Sequence, residues 1–169
     1  PLDAVRVRRT DGLVAFFGCD ASMGAKDGWS FHEDGVNGMH VLLDNCTGLR
    51  NGIDPAASCN GFTTHDAIKS IVVGGTFGLS RNGTEVHCIQ SAQSWLVGTT
   101  AQARDIDGTS TAFKCSNQSS MWLQGTVADA AGSVENHAIE ANAGTVFTRD
   151  HTDVSGTYLT SVGGTISGF

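Results

Sequence analysis

A chain of 169 residues with 40% hydrophobic and 16% charged residues has the size and composition of one domain that buries its own core, which excludes a disordered or fibrous chain. Its net charge of −7 provides no broad basic surface for a phosphate backbone and argues against a nucleic-acid partner. No apolar run approaches the ~20 residues of a membrane-spanning helix, and 22 glycines against two prolines point to a chain of many turns.

In chain order, residues 1–10 carry Arg6, Arg8 and Arg9 and read as a basic N-terminal arm or first strand of a single domain spanning 1–169. "GLVAFF" (12–17) and "MHVLL" (39–43) are strand-like runs rich in β-branched and aromatic residues. "TTHDAIKSIVVGG" (63–75) predicts a helix: Thr63 or Thr64 as N-cap, Asp66 in the first turn, Ala67, Ile68, Ile71 and Val72 as an apolar stripe, and Gly74-Gly75 as the stop. Asn82-Gly83 then suits a type I′ turn closing a β-hairpin, in which Phe77, Leu79, Val86 and Cys88 share one face. Further strands are expected at 94–99, 111–115, 121–127, 144–148, 156–162 and 164–169, with a second helix over 128–141. Gly-Thr recurs at 75, 83, 98, 108, 125, 144, 156 and 164, an irregular spacing that argues against a strict solenoid repeat. Together these elements predict an α+β, β-rich fold. Its antiparallel sheets would form a sandwich or roll with one or two helices packed on it; an all-β sandwich or a short β-helix is the alternative.

Five cysteines, Cys19, Cys46, Cys59, Cys88 and Cys115, form no Cys-x-x-Cys pair, which disfavours a zinc or thioredoxin-type site. Two disulfides and one free thiol are expected if the chain is exported, with Cys46–Cys59 the first pair because it brackets a turn-rich loop. Sequons at Asn45, Asn82 and Asn117 point the same way, to a secreted glycoprotein.

Candidate sites are sparse. His32-Glu33-Asp34 reads as a solvated acidic turn, and "DIDGTS" (105–110) lacks the late glutamate of a calcium loop. His151 and Asp153 share one face of a strand and form the one candidate pair for a metal, with no third ligand in view. Trp29, in a glycine-flanked loop, is the candidate ligand contact, whereas Trp95 and Trp122 sit in apolar strand runs and are expected inside. No catalytic motif and no cofactor site is identified. The sequence therefore favours a non-catalytic secreted binding or recognition protein of effector or virulence type, with a protein or carbohydrate ligand at a cell surface. An extracellular hydrolase using His and Asp/Glu, and a viral or pilus structural subunit, are the alternatives.

Overall fold

The computed structural model describes residues 3–33, 38–53, 59–81, 83–103, 110–131, 137–161 and 163–168. Among these residues there is no helix; the chain winds through successive coils of short strands. The first coil holds β1 (Val5–Arg8) and β2 (Gly12–Phe17). Five three-strand coils follow: β3 (Trp29–His32), β4 (Met39–Asp44) and β5 (Thr47–Leu49); β6 (Asn60–Thr64), β7 (Lys69–Val73) and β8 (Thr76–Gly78); β9 (Thr84–Cys88), β10 (Gln93–Val97) and β11 (Thr100–Gln102); β12 (Thr111–Ser116), β13 (Ser120–Gln124) and β14 (Val127–Asp129); β15 (His137–Asn142), β16 (Thr145–Arg149) and β17 (Thr152–Val154). The last coil holds β18 (Thr157–Ser161) and β19 (Thr165–Gly168).

Like strands of successive coils pair in parallel and stack into three sheets. The first runs β1-β3-β6-β9-β12-β15-β18, the second β2-β4-β7-β10-β13-β16-β19, and the third β5-β8-β11-β14-β17. The protein is a parallel β-solenoid of about five complete turns, so the expected antiparallel α+β sandwich is corrected. A coil takes 27 residues from Gly12 to its partner Met39, 24 from Lys69 to Gln93, and only 20 from Thr145 to Thr165.

Strand backbone groups find their partners one coil away, which makes the alternation of side chains decisive. Trp29, Phe62, Val86, Phe113 and Ile139 form one inward column of the first sheet, and Phe16, Leu43, Val72, Leu96 and Leu123 one of the second. The third sheet contributes Gly48, Phe77, Ala101 and Ala128. Interior volume is shared between sheets: aromatic rings fill the early coils, and alanines dominate the later ones.

The corner from second to third sheet is always two residues long, and its first residue is left-handed: Asn45 (φ 51), Gly74 (φ 61), Gly98 (φ 64), Gly125 (φ 57) and Asp150 (φ 49). These are the residue types that tolerate that conformation. Gly98-Thr99 and Gly125-Thr126 lie at this corner, Gly83 and Gly156 precede the first sheet, and Gly144 and Gly164 precede the second. The Gly-Thr intervals are irregular because they interleave three different corners of one coil.

The predicted helix at 63–75 is instead the end of β6, a tight corner at Asp66 (φ 60) and Ala67 (φ 64), and β7. Its apolar positions also fit a period of two: Ser70 and Val72 point inward, Lys69, Ile71 and Val73 outward. A β-branched run stacked between β4 and β10 prevails over the local capping signals. The second expected helix, 128–141, covers the end of β14 and all of β15 but Asn142, with 132–136 outside the described residues. The expected hairpin is also absent. Phe77 lies in the third sheet and Val86 in the first, each paired in parallel with neighbouring coils, while Asn82 lies outside the described residues.

Candidate functional site

The three outer faces differ in chemistry. On the first sheet the outward positions from β3 to β15 are polar and engaged with one another, and Leu159 of β18 ends their column. The His32 and His65 rings stack with centroids 4.1 Å apart, His65 Nδ1 lies 3.1 Å from Gln90 Oε1, His87 Nε2 lies 2.8 Å from Ser116 Oγ, and Lys114 pairs with Glu140 at 2.8 Å. Burial pushes His32 down to about 4, helped by His65 and Arg8. It pushes His87 down to about 3, helped by Lys114 and His65, and lowers His65. This row is therefore neutral imidazole at pH 7, and its hydrogen-bonding groups point into the row itself. The third sheet presents Thr47, Thr76, Thr100, Val127 and Thr152 in one outward column.

The second sheet presents apolar and aromatic groups. Its central outward column runs Ala15, Leu42, Ile71, Trp95, Trp122 and Phe147 through successive registered pairs. Trp95 and Trp122 stack at 4.6 Å and 4°, and Trp122 and Phe147 at 5.4 Å and 15°. Leu13 (68% exposed), Phe17 (62%) and Ile71 (48%) leave much of their surface in water, with Val73 and Val97 beside them. A groove of about 370 Å³ opens between Leu13, His40, Leu42, Lys69, Ile71 and Trp95. The strand alternation that buries Ser94 and Leu96 forces Trp95 outward, and the same holds for Trp122 between Met121 and Leu123. The expectation that both tryptophans lie inside is thus reversed: the sequence shows an apolar run but not which half of it faces the core.

Trp29, the expected ligand contact, is in the core at 1% exposure. Its Nε1–H donates to the Thr47 carbonyl at 2.7 Å, and its ring packs against Phe16 and Phe31. Gly28 beside it permits close coil packing, since a Cβ there would sit 2.7 Å from the Gly61 carbonyl oxygen of the next coil. Glu33 is buried and accepts backbone N–H groups from Gly38 and Met39, and Asp34 lies outside the described residues.

His151 and Asp153 do come together, with Nε2 2.6 Å from Oδ1. The Tyr158 hydroxyl donates to the other oxygen of Asp153, and His151 Nδ1 lies 2.6 Å from Thr126 Oγ1. Burial and the neighbouring carboxylate push Tyr158 up to about 12. Thr–His–Asp in a line resembles an activated-hydroxyl arrangement, but Thr126 is 0% exposed and out of a substrate's reach. Asp153 occupies the column position that Ala128 fills one coil earlier, so this cluster ends the interior column with satisfied polar groups. Among the described residues no group of three or more His, Cys, Asp or Glu could hold a metal ion.

None of the five cysteines forms a disulfide, which corrects the expected cross-links. Cys46 occupies a corner between the second and third sheets, and Cys59 immediately precedes β6 in the first sheet. Cys88 and Cys115 pair in register inside the core, and Cys19 is exposed. The argument for an oxidising compartment thus loses its cross-links. The sequon residues Asn45 and Asn117 stand exposed in left-handed corners. No known protein family, no curated protein and no solved structure matches this chain.

Proposed function

We propose that the chain is a non-catalytic binding protein, that it works through the outer face of the second sheet, and that it binds another polypeptide. The observation that carries this reading is the unbroken apolar column from Leu42 to Phe147, flanked by exposed Leu13, Phe17, Val73 and Val97. Apolar surface in water costs roughly 25 cal/mol per Å², and a contiguous patch of several hundred Å² is characteristic of an interaction site. A flat polypeptide surface suits this face better than a sugar ring does. Trp95, Trp122 and Phe147 cover one another's ring faces, which turns edges rather than stacking faces outward.

A photo-crosslinking residue at Ile71, with a control at Thr152 on the third sheet, tests the reading in a natural extract. Products joined to a polypeptide are expected from position 71 and not from 152. Capture of polysaccharide alone, or equal products from both positions, refutes it.

A further inference from the structure

We infer that the polypeptide bound by this face is a second copy of the same chain, docked face to face about a two-fold axis that runs along β10. The inference rests on the reading of the second sheet as a binding face and adds the partner's identity and register.

β10 is the fourth of seven strands in its sheet. A two-fold along it superposes β7 on β13, β4 on β16 and β2 on β19, so all seven strands of each copy meet a strand of the other. In the central column Trp95 meets its own copy, Ile71 meets the second copy's Trp122, and Leu42 meets the second copy's Phe147.

The next outward column carries Asp44, Val73, Val97, Gln124 and Arg149. Asp44 lies two strands to one side of β10 and Arg149 two strands to the other. The same rotation therefore sets each Asp44 against the second copy's Arg149, twice per pair. Among the described residues of one chain these groups have weak or neutral engagements: Arg149 Nε lies 3.8 Å from exposed Asp150, and Asp44 accepts from the Asn45 amide at 3.0 Å. A two-fold along the solenoid axis would instead place Lys69 on Val73 and Asp44 on His40. It brings no carboxylate to Arg149.

Area disfavours a slipped register. At about 4.8 Å between strands and 3.3 Å per residue, the seven-stranded face measures about 29 by 16 Å in plane. A stable pair buries about 800 Å² of accessible surface on each partner. In plane that is about 460 Å², a little over half of this figure before side-chain relief is added, so the pair needs the whole face, and slipping by one coil removes strands from contact and separates Asp44 from Arg149.

Sedimentation velocity on the 169-residue chain tests the pairing, with circular dichroism checking the fold of each variant. A dimer is expected at about 100 µM and low salt, dissociating on dilution. Arg149→Asp or Asp44→Arg alone should weaken it about tenfold, and the double exchange Asp44→Arg/Arg149→Asp should restore most of that loss. A chain that stays monomeric at this concentration, a dimer indifferent to both single changes, or a double exchange no better than the singles overturns the inference. If the chain is monomeric while Ile71 still crosslinks to a different polypeptide, only the identity of the partner fails. If it is monomeric and position 71 captures no polypeptide, the binding face fails with it.

Discussion

At the residue scale, glycines at the sheet corners are held by two separable constraints. Gly98 has φ 64 with nothing within 4 Å of where a Cβ would lie, so only its backbone conformation excludes a side chain. Gly75 has φ 80, and its Cβ would stand 2.2 Å from the Cys46 carbonyl oxygen. Gly98→Ala is therefore expected to cost about 1 kcal/mol. Gly75→Ala should cost about 3 kcal/mol or more, because a backbone atom of the neighbouring coil must also move. Urea unfolding midpoints of the two variants measure the difference; equal losses would show that coil contact adds nothing. The residue scale is also where the candidate site was least legible. Trp29 looked exposed because it sits among glycines, yet Gly28 admits a neighbouring backbone, the Gly61 carbonyl oxygen standing 2.7 Å from where its Cβ would lie.

At the element scale, the outer row of the first sheet couples stability to pH. His32 and His87 are held near 4 and 3 by burial, and His65 is lowered as well, against about 6.5 in an unfolded chain. Depressed histidines favour the fold above pH ~6.5, and that contribution is lost as pH falls toward 4. Asp27 acts in the opposite sense. Burial raises it to about 6, so its contribution is present below pH ~3.9 and lost as pH rises to 6. The unfolding midpoint should therefore fall between pH 6.5 and 4, and fall more steeply in Asp27→Asn, which keeps an oxygen to accept from the Asn60 N–H. A flat profile in both proteins would show that these groups are solvated. Elements were legible only in part: "GLVAFF" is β2 from end to end, whereas the 63–75 stretch expected as a helix is the end of β6 and all of β7, and the run containing Val86 pairs with β6 and β12 rather than with its sequence neighbour. Alternation reveals a strand's two faces but carries no record of which distant strand lies beside it.

At the scale of the whole molecule, stability in a solenoid is a sum of nearest-neighbour coil contacts. The coils are not equivalent. The strands β17 and β18 are exposed almost throughout, with Tyr158 56% accessible, while β9, β12 and β13 enclose fully buried side chains. Hydrogen exchange should therefore be slowest in β9–β13 and fastest in β17–β19, and uniform protection along the chain would contradict this additive picture. The strand-forming runs outside 63–75 and 128–141, the alternation along them and the punctuation by glycine were determined by the sequence alone, because they depend on side-chain size, branching and permitted φ within a few residues. Tertiary structure decided the rest: that the stretches expected as helices are strands, that residues 19 to 33 apart pair in parallel, that sulfur stays unlinked, and that Trp95 and Trp122 face outward. Those outcomes depend on how successive coils fill one shared interior, a constraint no local stretch of chain contains.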